Sequence, residues 1–185
     1  MSKFGAGVRF LYLACLSRPA ADRTLYRAIR RNRPRSILEI GVGAAVRARR
    51  MIDLARRCSP GETIHYTGID LFEAREPTAP PGLSLKTVYR QLKATPARIR
   101  LTPGDPLSAL MRVANDLLGT DLVVISAGLD EQSLSGAWRY VPRILHAGSQ
   151  VYLQRGASPD EGRFELITGA ELNRLAAVHS LRRAA

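Results

Sequence analysis

The sequence predicts an α/β fold, a doubly wound and mainly parallel sheet of five to six strands flanked by helices. Three observations carry that prediction. Strand-like and helix-like patterns alternate from residue 22 to the end of the 185-residue chain, which is the grammar of helices crossing over a parallel sheet. The run Asp121-Leu122-Val123-Val124-Ile125-Ser126 is continuously apolar and β-branched at its centre, as in a strand covered on both faces. The stretch Ser36-Ile37-Leu38-Glu39-Ile40 breaks at once into Gly41-Val42-Gly43 and then a helical pattern. Glycine permits backbone conformations closed to other residues. The unpaired N–H groups of a first helical turn point into the space beyond it, so such a turn can hold polar or anionic groups.

The elements follow in order. Asp22 is expected to cap a helix with Leu25 and Ile29 on one face, ending near Asn32 ahead of Pro34. After the first strand, Ala48, Met51, Ile52, Ala55 and Cys58 form the buried stripe of a helix ended by Ser59-Pro60-Gly61. Arg47, Arg49, Arg50, Arg56 and Arg57 fall mostly on the opposite side and read as a solvated face. A second strand runs from about Ile64 to Ile69 and stops at Asp70. Residues 73–83 form a proline-rich loop, either a lid or a plain insertion. Ser84 is placed to cap a helix buried through Leu85, Val88, Tyr89 and Leu92. A third strand, about Arg98 to Thr102, leads to Asp105 as N-cap and Pro106 as first helical residue, with Leu107, Leu110, Met111, Ala114, Leu117 and Leu118 facing inward. Beyond the fourth strand, a helix from Ser135 to His146 bent at Pro142 precedes a fifth strand, Ser149 to Gln154. Phe164 to Ile167 is a short sixth-strand candidate, and Thr168-Gly169-Ala170-Glu171 has the form of a capping box.

The length suits one domain, residues 1–185, with 1–34 as an N-terminal helical extension. No apolar run reaches the length of a membrane span. Arg9 interrupts the apolar start, so Met1 to Leu16 reads as an amphipathic segment rather than a signal peptide. Cys15 and Cys58 make no disulfide framework and no metal spacing, which points to a reducing cytoplasm. The histidines, 65, 146 and 179, are scattered and read as structural. A net charge of +12, carried almost wholly by arginine, favours anionic partners. RNA stays in view on that ground, without the aromatics that usually accompany the basic residues of a nucleic-acid surface.

The glycine turn does not fit a dinucleotide fingerprint, since Val46 holds the third glycine position and Asp70 comes later than that spacing requires. Glu39-Ile40-Gly41-Val42-Gly43 resembles instead the first motif of class I S-adenosylmethionine-dependent methyltransferases, acid-x-Gly-x-Gly-x-Gly, with Ala45 in place of the third glycine. Alanine is expected to suit the helix better than glycine there. Asp70, an acid ending the second strand, matches the family's second motif, where a carboxylate accepts hydrogen bonds from ribose hydroxyls. Gly104-Asp105 resembles its adenine-contacting segment, although helix capping alone also accounts for Asp105.

The resemblance covers about Leu25 to Leu153 and implies bound S-adenosylmethionine. Its methionine end would lie over Gly41, Val42 and Gly43, its ribose on Asp70, and its adenine near Leu71, Asp105 and Pro106, with Glu39 and Ser126 completing the set. The family's last strand is missing from the pattern. Where many small-molecule O-methyltransferases end the fourth strand in acids, this chain has Ser126-Ala127-Gly128, so no metal is expected. Asp130 and Glu131 are open to reading as a general base or as solvated loop charges, and no catalytic residue is identified. Two functions stay open. One is metal-free methyl transfer to an unidentified small-molecule acceptor. The other is a non-catalytic, methyltransferase-like module that binds the cofactor or a partner. No Asn-Pro-Pro-Tyr type of motif follows the fourth strand to support RNA methylation.

Overall fold

The structure is a computed structural model that describes residues 3–75, 83–129, 131–156 and 162–181. Its elements are α1 (Lys3–Leu11), a π-turn (Tyr12–Leu16), α2 (Asp22–Asn32), β1 (Ser36–Ile40), α3 (Val46–Cys58), β2 (His65–Asp70), a short 3-10 turn (Phe72–Ala74) and α4 (Leu85–Lys93). There follow β3 (Arg98–Pro103), α5 (Pro106–Val113), a second 3-10 turn (Ala114–Leu117), β4 (Thr120–Ile125), α6 (Glu131–Ala137), α7 (Val141–Ile144), β5 (Leu145–Arg155), β6 (Arg163–Leu166) and α8 (Gly169–Leu181). Six strands form one sheet in the order β3-β2-β1-β4-β5-β6. All neighbours pair in parallel except β5 and β6, which are antiparallel.

Each face of the sheet is covered, as the unbroken apolar strands require. Along β4, Leu122 and Val124 pack into a core with Leu25, Ile29, Met51, Ile52 and Val88, on the side of α2, α3 and α4. Val123 and Ile125 pack into a second core with Leu110, Trp138, Val141 and Leu172, from α5 to α8. The chain winds outward from β1 to β3 and returns to place β4 on the other side of β1. The order therefore reverses beside β1, and this is where an open α/β sheet leaves a crevice at its carboxyl edge. Backbone bonds keep that edge level. Gly41 N donates to Ile69 O (2.8 Å), Ser126 N to Ile40 O (2.9 Å) and Gly104 N to Asp70 O (2.9 Å).

Local signals held where the chemistry is local. Ser84 accepts from Thr87 N at 3.2 Å and Asp105 from Ser108 N at 3.0 Å, and Pro106 opens α5. Thr168 Oγ1 accepts from Glu171 N at the start of α8 (3.2 Å). Other expectations need correction. Asp22 is the first residue of α2 and makes no cap; Ala21 is the N-cap, and Asp22 is buried. Tyr89, Met111 and Leu118 are exposed, and α5 buries Pro106, Ala109, Leu110 and Val113, a helical stripe turned by one residue from the expected one. The helix expected over 135–146 is two short helices, with Pro142 in the first turn of the second rather than at a bend. Leu145 and His146 already belong to β5, which joins β4 through a register shift between Thr120 and Leu122.

Asp121 ties the amino ends of β1 and β4. Its Oδ2 accepts from the N–H groups of Arg35 (2.8 Å) and Ser36 (2.9 Å) and from Ser36 Oγ (2.9 Å), while Oδ1 meets His146 Nε2 at 2.9 Å. Burial opposes the charge, but these donors outweigh it and hold the carboxyl below its ordinary 3.8. An acid with a lowered folded-state pKa contributes stability that is present above its unfolded value and is lost as pH falls through the folded one. Asp121→Asn is therefore expected to be less stable than wild type at neutral pH, with the gap closing only below about pH 4. Urea unfolding across pH 3–7 measures this.

Candidate functional site

Glu39, between the buried Leu38 and Ile40 of β1, has no exposed surface. A carboxylate so placed must find a partner or take a proton. Its partner is Arg47, eight residues on, whose Nε donates to Glu39 Oε1 at 2.7 Å. Tyr66 Oη, on the neighbouring β2, donates to Glu39 Oε2 at 2.5 Å. Burial pushes Glu39 upward, and Arg47 and Tyr66 pull it back in part, so its carboxyl stays above the usual range.

Arg47 does more than pair one acid. Its Nη2 donates to the Gly41 carbonyl (2.9 Å) and to Ser126 Oγ (2.5 Å), and Ser126 Oγ itself donates to the Gly41 carbonyl at 2.7 Å. Its Nη1 stands 3.7 Å from the buried carboxylate of Asp22 on α2. Its guanidinium carbon lies 5.3 Å from the ring centre of Phe164 on β6, a cation–π distance. Arg47 is thus a buried hub with a side chain only 14 % exposed, and the solvated-face reading fails at this position. The helical stripe places it opposite the core, but its long stem reaches back over the glycine turn to the acid.

The turn needs both its glycines, for different reasons. Gly41 has φ +87, and a Cβ there would lie 2.8 Å from Ser126 Cβ. Gly43 has φ +59, and a Cβ there would meet nothing within 4 Å, so the backbone faces open space. Ala45 adopts φ 60 as the N-cap of α3 and is buried. It does not suit the helix, as the sequence suggests; it sits just ahead of it in the left-handed region that alanine disfavours. Phe72, past the end of β2, is a second such residue (φ 50). Backbone strain of this kind persists where the surroundings over-determine it, often around functional clefts.

Asp70 meets the turn directly. Its Oδ2 accepts from Gly43 N at 2.8 Å. Arg75 Nη2 lies 2.7 Å from each carboxylate oxygen, and Arg75 Nε and Phe72 N reach Oδ1 at 3.2 and 3.3 Å. Two hydrogen-bonded sets thus adjoin at the carboxyl ends of β1, β2 and β4, Gly43 with Asp70 and Gly41 with Ser126. Val42 is buried against Gly68, Leu71 is 40 % exposed beside Asp70, and Asp105 and Pro106 follow β3 at the same edge. Glu39 is brought in only beneath Arg47. Asp130 and most of the loop 73–83 lie outside the described residues.

Two hollows lie away from this cluster. One of about 310 Å3 opens at the amino ends of the strands, between Ser36, His65, Arg98 and Thr120. Another of about 400 Å3 lies along α3, between Arg9, Ala45, Val46, Arg49, Arg50 and Gln91, and includes neither Asp70 nor the two glycines. The first is at the wrong edge of the sheet for the glycine turn and carries none of its acids. Among the described residues no group of three His, Cys, Asp or Glu side chains is placed to hold a metal. No described helix is long and apolar enough to cross a membrane.

The sequence reading missed Arg47, Arg75 and Tyr66. Only Arg47 left a trace, as a basic residue in α3's first turn near an unpaired strand acid.

Breaking a buried ion pair leaves an uncompensated charge, at a cost of about 3–5 kcal/mol. Arg47→Met is expected to lose stability on that scale by urea unfolding at pH 7. Adding Glu39→Leu, which removes one of the two acids left without their cation, is expected to recover part of the loss, with Asp22 accounting for the remainder.

No protein-family model matches the chain, and no curated protein matches it either. Solved structures do. A TehB-like SAM-dependent methyltransferase from Corynebacterium glutamicum is 16% identical at a TM-score of 0.51, over 95% of this chain and 80% of that one. CalS11, a TDP-rhamnose 3'-O-methyltransferase of calicheamicin biosynthesis, is 20% identical at a TM-score of 0.54, over 85% and 80%. The O-methyltransferase TomG from Streptomyces achromogenes, solved in complex with SAM, is 13% identical at a TM-score of 0.51, over all of this chain and 80% of TomG. The chain has the Rossmann-like α/β fold of class I SAM-dependent methyltransferases.

Proposed function

We propose that this chain binds S-adenosylmethionine at the carboxyl edge of β1, β2 and β4 and transfers its methyl group, without a metal, to a small-molecule acceptor. The observation that carries the reading is the meeting of Asp70 with the Gly43 N–H at 2.8 Å, beside the side-chain-free space over Gly43. A carboxylate that ends a strand in this crevice suits a ribose diol. The open glycine backbone suits close approach of the ligand's amino-acid end. Leu71 offers an exposed apolar surface to a base, and Asp105 and Pro106 border the same edge.

The cofactor supplies a methyl group already activated on a sulfonium. The chain's part is then chiefly alignment, which can account for a large share of a rate enhancement by itself. Asp70 orients the sugar, the turn fixes the approach, and Glu39 acts only through Arg47. A hydroxyl acceptor benefits from a base to take its proton, whereas a neutral amine needs one less. The small-molecule acceptor follows the activities stated for CalS11 and TomG, with which the chain shares its fold.

A second reading, a non-catalytic module of the same fold, draws on one observation. Arg47 already occupies the Gly41 carbonyl and Ser126 Oγ, and β4 is followed by Ser126-Ala127-Gly128 in place of an acid. Calorimetric titration with S-adenosylmethionine and S-adenosylhomocysteine separates the outcomes. Micromolar binding is expected, weakened about 10- to 100-fold in Asp70→Ala by loss of a charge-assisted hydrogen bond of roughly 1.5–3 kcal/mol. Binding without turnover on any acceptor favours the module, and binding of neither ligand removes the transferase reading.

A further inference from the structure

Asp70 is saturated by its own chain. A carboxylate offers about four lone-pair sites. Here five donor contacts converge on it: Gly43 N, Phe72 N, Arg75 Nε, and Arg75 Nη2 on both oxygens. The two backbone donors fix where the carboxylate stands and leave its outer side open. Arg75 fills that side. The positive φ of Phe72 turns the chain so that a residue five positions on folds back over the acid. The Asp70 side chain is 5% exposed and that of Arg75 is 24%, so the guanidinium forms the lid of the contact and stays in reach of water.

We infer that Arg75 sets ligand affinity and selectivity by competing in cis for Asp70, and that a ribose diol binds by displacing it. The inference rests on the reading of Asp70 as the sugar-binding acid. Guanidinium and diol both donate two hydrogen bonds to one carboxylate, so they exclude one another. The guanidinium carries a charge and is tethered, which gives it the advantage over a neutral hydroxyl pair. The ligand then meets a competent site in only a fraction of molecules, and its apparent affinity falls by that fraction. A ligand that lacks the diol gains nothing from displacing Arg75, so the contact discriminates against deoxynucleosides.

Two signatures follow. Freeing Asp70 tightens binding of a diol ligand. Because the ion pair is partly exposed, added salt weakens it. Affinity for an uncharged nucleoside, ordinarily indifferent to salt, therefore rises with ionic strength in the wild type.

The experiment is calorimetric titration of wild type, Arg75→Ala and Arg75→Gln with adenosine, 2'-deoxyadenosine and S-adenosylhomocysteine, at low and high salt. Thermal melts check that the variants are folded. Arg75→Ala is expected to bind adenosine and S-adenosylhomocysteine about 5- to 20-fold more tightly, the charge-assisted bond discounted for its partial exposure. Arg75→Gln is expected to fall between, and 2'-deoxyadenosine to gain little. Salt is expected to tighten adenosine binding in the wild type and leave Arg75→Ala unchanged. Binding by Arg75→Ala alone supports the inference outright. Equal or weaker binding in folded Arg75 variants, with wild type still binding, overturns it and leaves the cofactor reading standing. No binding by any of the three proteins overturns both.

Discussion

The buried pairing of Glu39 with Arg47 is the constraint around which the rest of the carboxyl edge is arranged. An acid without exposed surface at the end of the central strand is tolerable only with a cation held against it. Supplying that cation from the first turn of α3 forces the helix to start close to the strand and the chain to bend tightly. The left-handed conformation at Ala45 is part of that bend. With the guanidinium in place, its spare donors reach the Gly41 carbonyl and Ser126, which brings β4 up against the turn. The close approach of Ser126 is in turn why no side chain fits at position 41. The turn, the helix direction and the neighbouring strand end thus follow from one electrostatic requirement.

The same edge holds two acids that solve the same problem differently. Glu39 is sealed, with a largely buried partner and a phenol beside it. Asp70 is held from beneath by backbone N–H groups and from outside by a side chain that water can reach. The first arrangement suits rigidity and the second suits exchange. Together they place a fixed floor beside a contact that a ligand can contest.

The parts of this arrangement that were legible in the sequence are those decided within a few residues. The strand, twin glycines and helix around position 41, the acid ending β2, and the Ser84 and Asp105 caps each follow from short-range pattern. Alternation and handedness give a mainly parallel sheet, whereas the full strand order is a property of the structure. Arg47 was misread because helical periodicity assigns a direction to its Cβ, whereas the charged end of a four-bond stem goes where a buried acid draws it. Arg75 was invisible because its position depends on an improbable backbone angle at Phe72. The inward face of α5 came out turned by one residue, since several apolar positions on its wheel could serve and tertiary packing chose among them, while α4 kept Val88 and Leu92 inside and left Tyr89 exposed. The start of β5 was misplaced for a similar reason, since its register shift leaves no mark in hydropathy.

Arg47 also touches segments that are far apart along the chain. Asp22 of α2, Glu39 of β1, Ser126 after β4 and Phe164 of β6 all meet one guanidinium. No stretch much shorter than the span from Asp22 to Phe164 can assemble that environment. The Glu39–Arg47 pair itself is local, eight residues apart, whereas the contacts with Asp22, Ser126 and Phe164 come from distant parts of the chain. The environment of the arginine is therefore complete only with the antiparallel edge strand in place, so the sheet's last strand and its central acid are tied through one side chain.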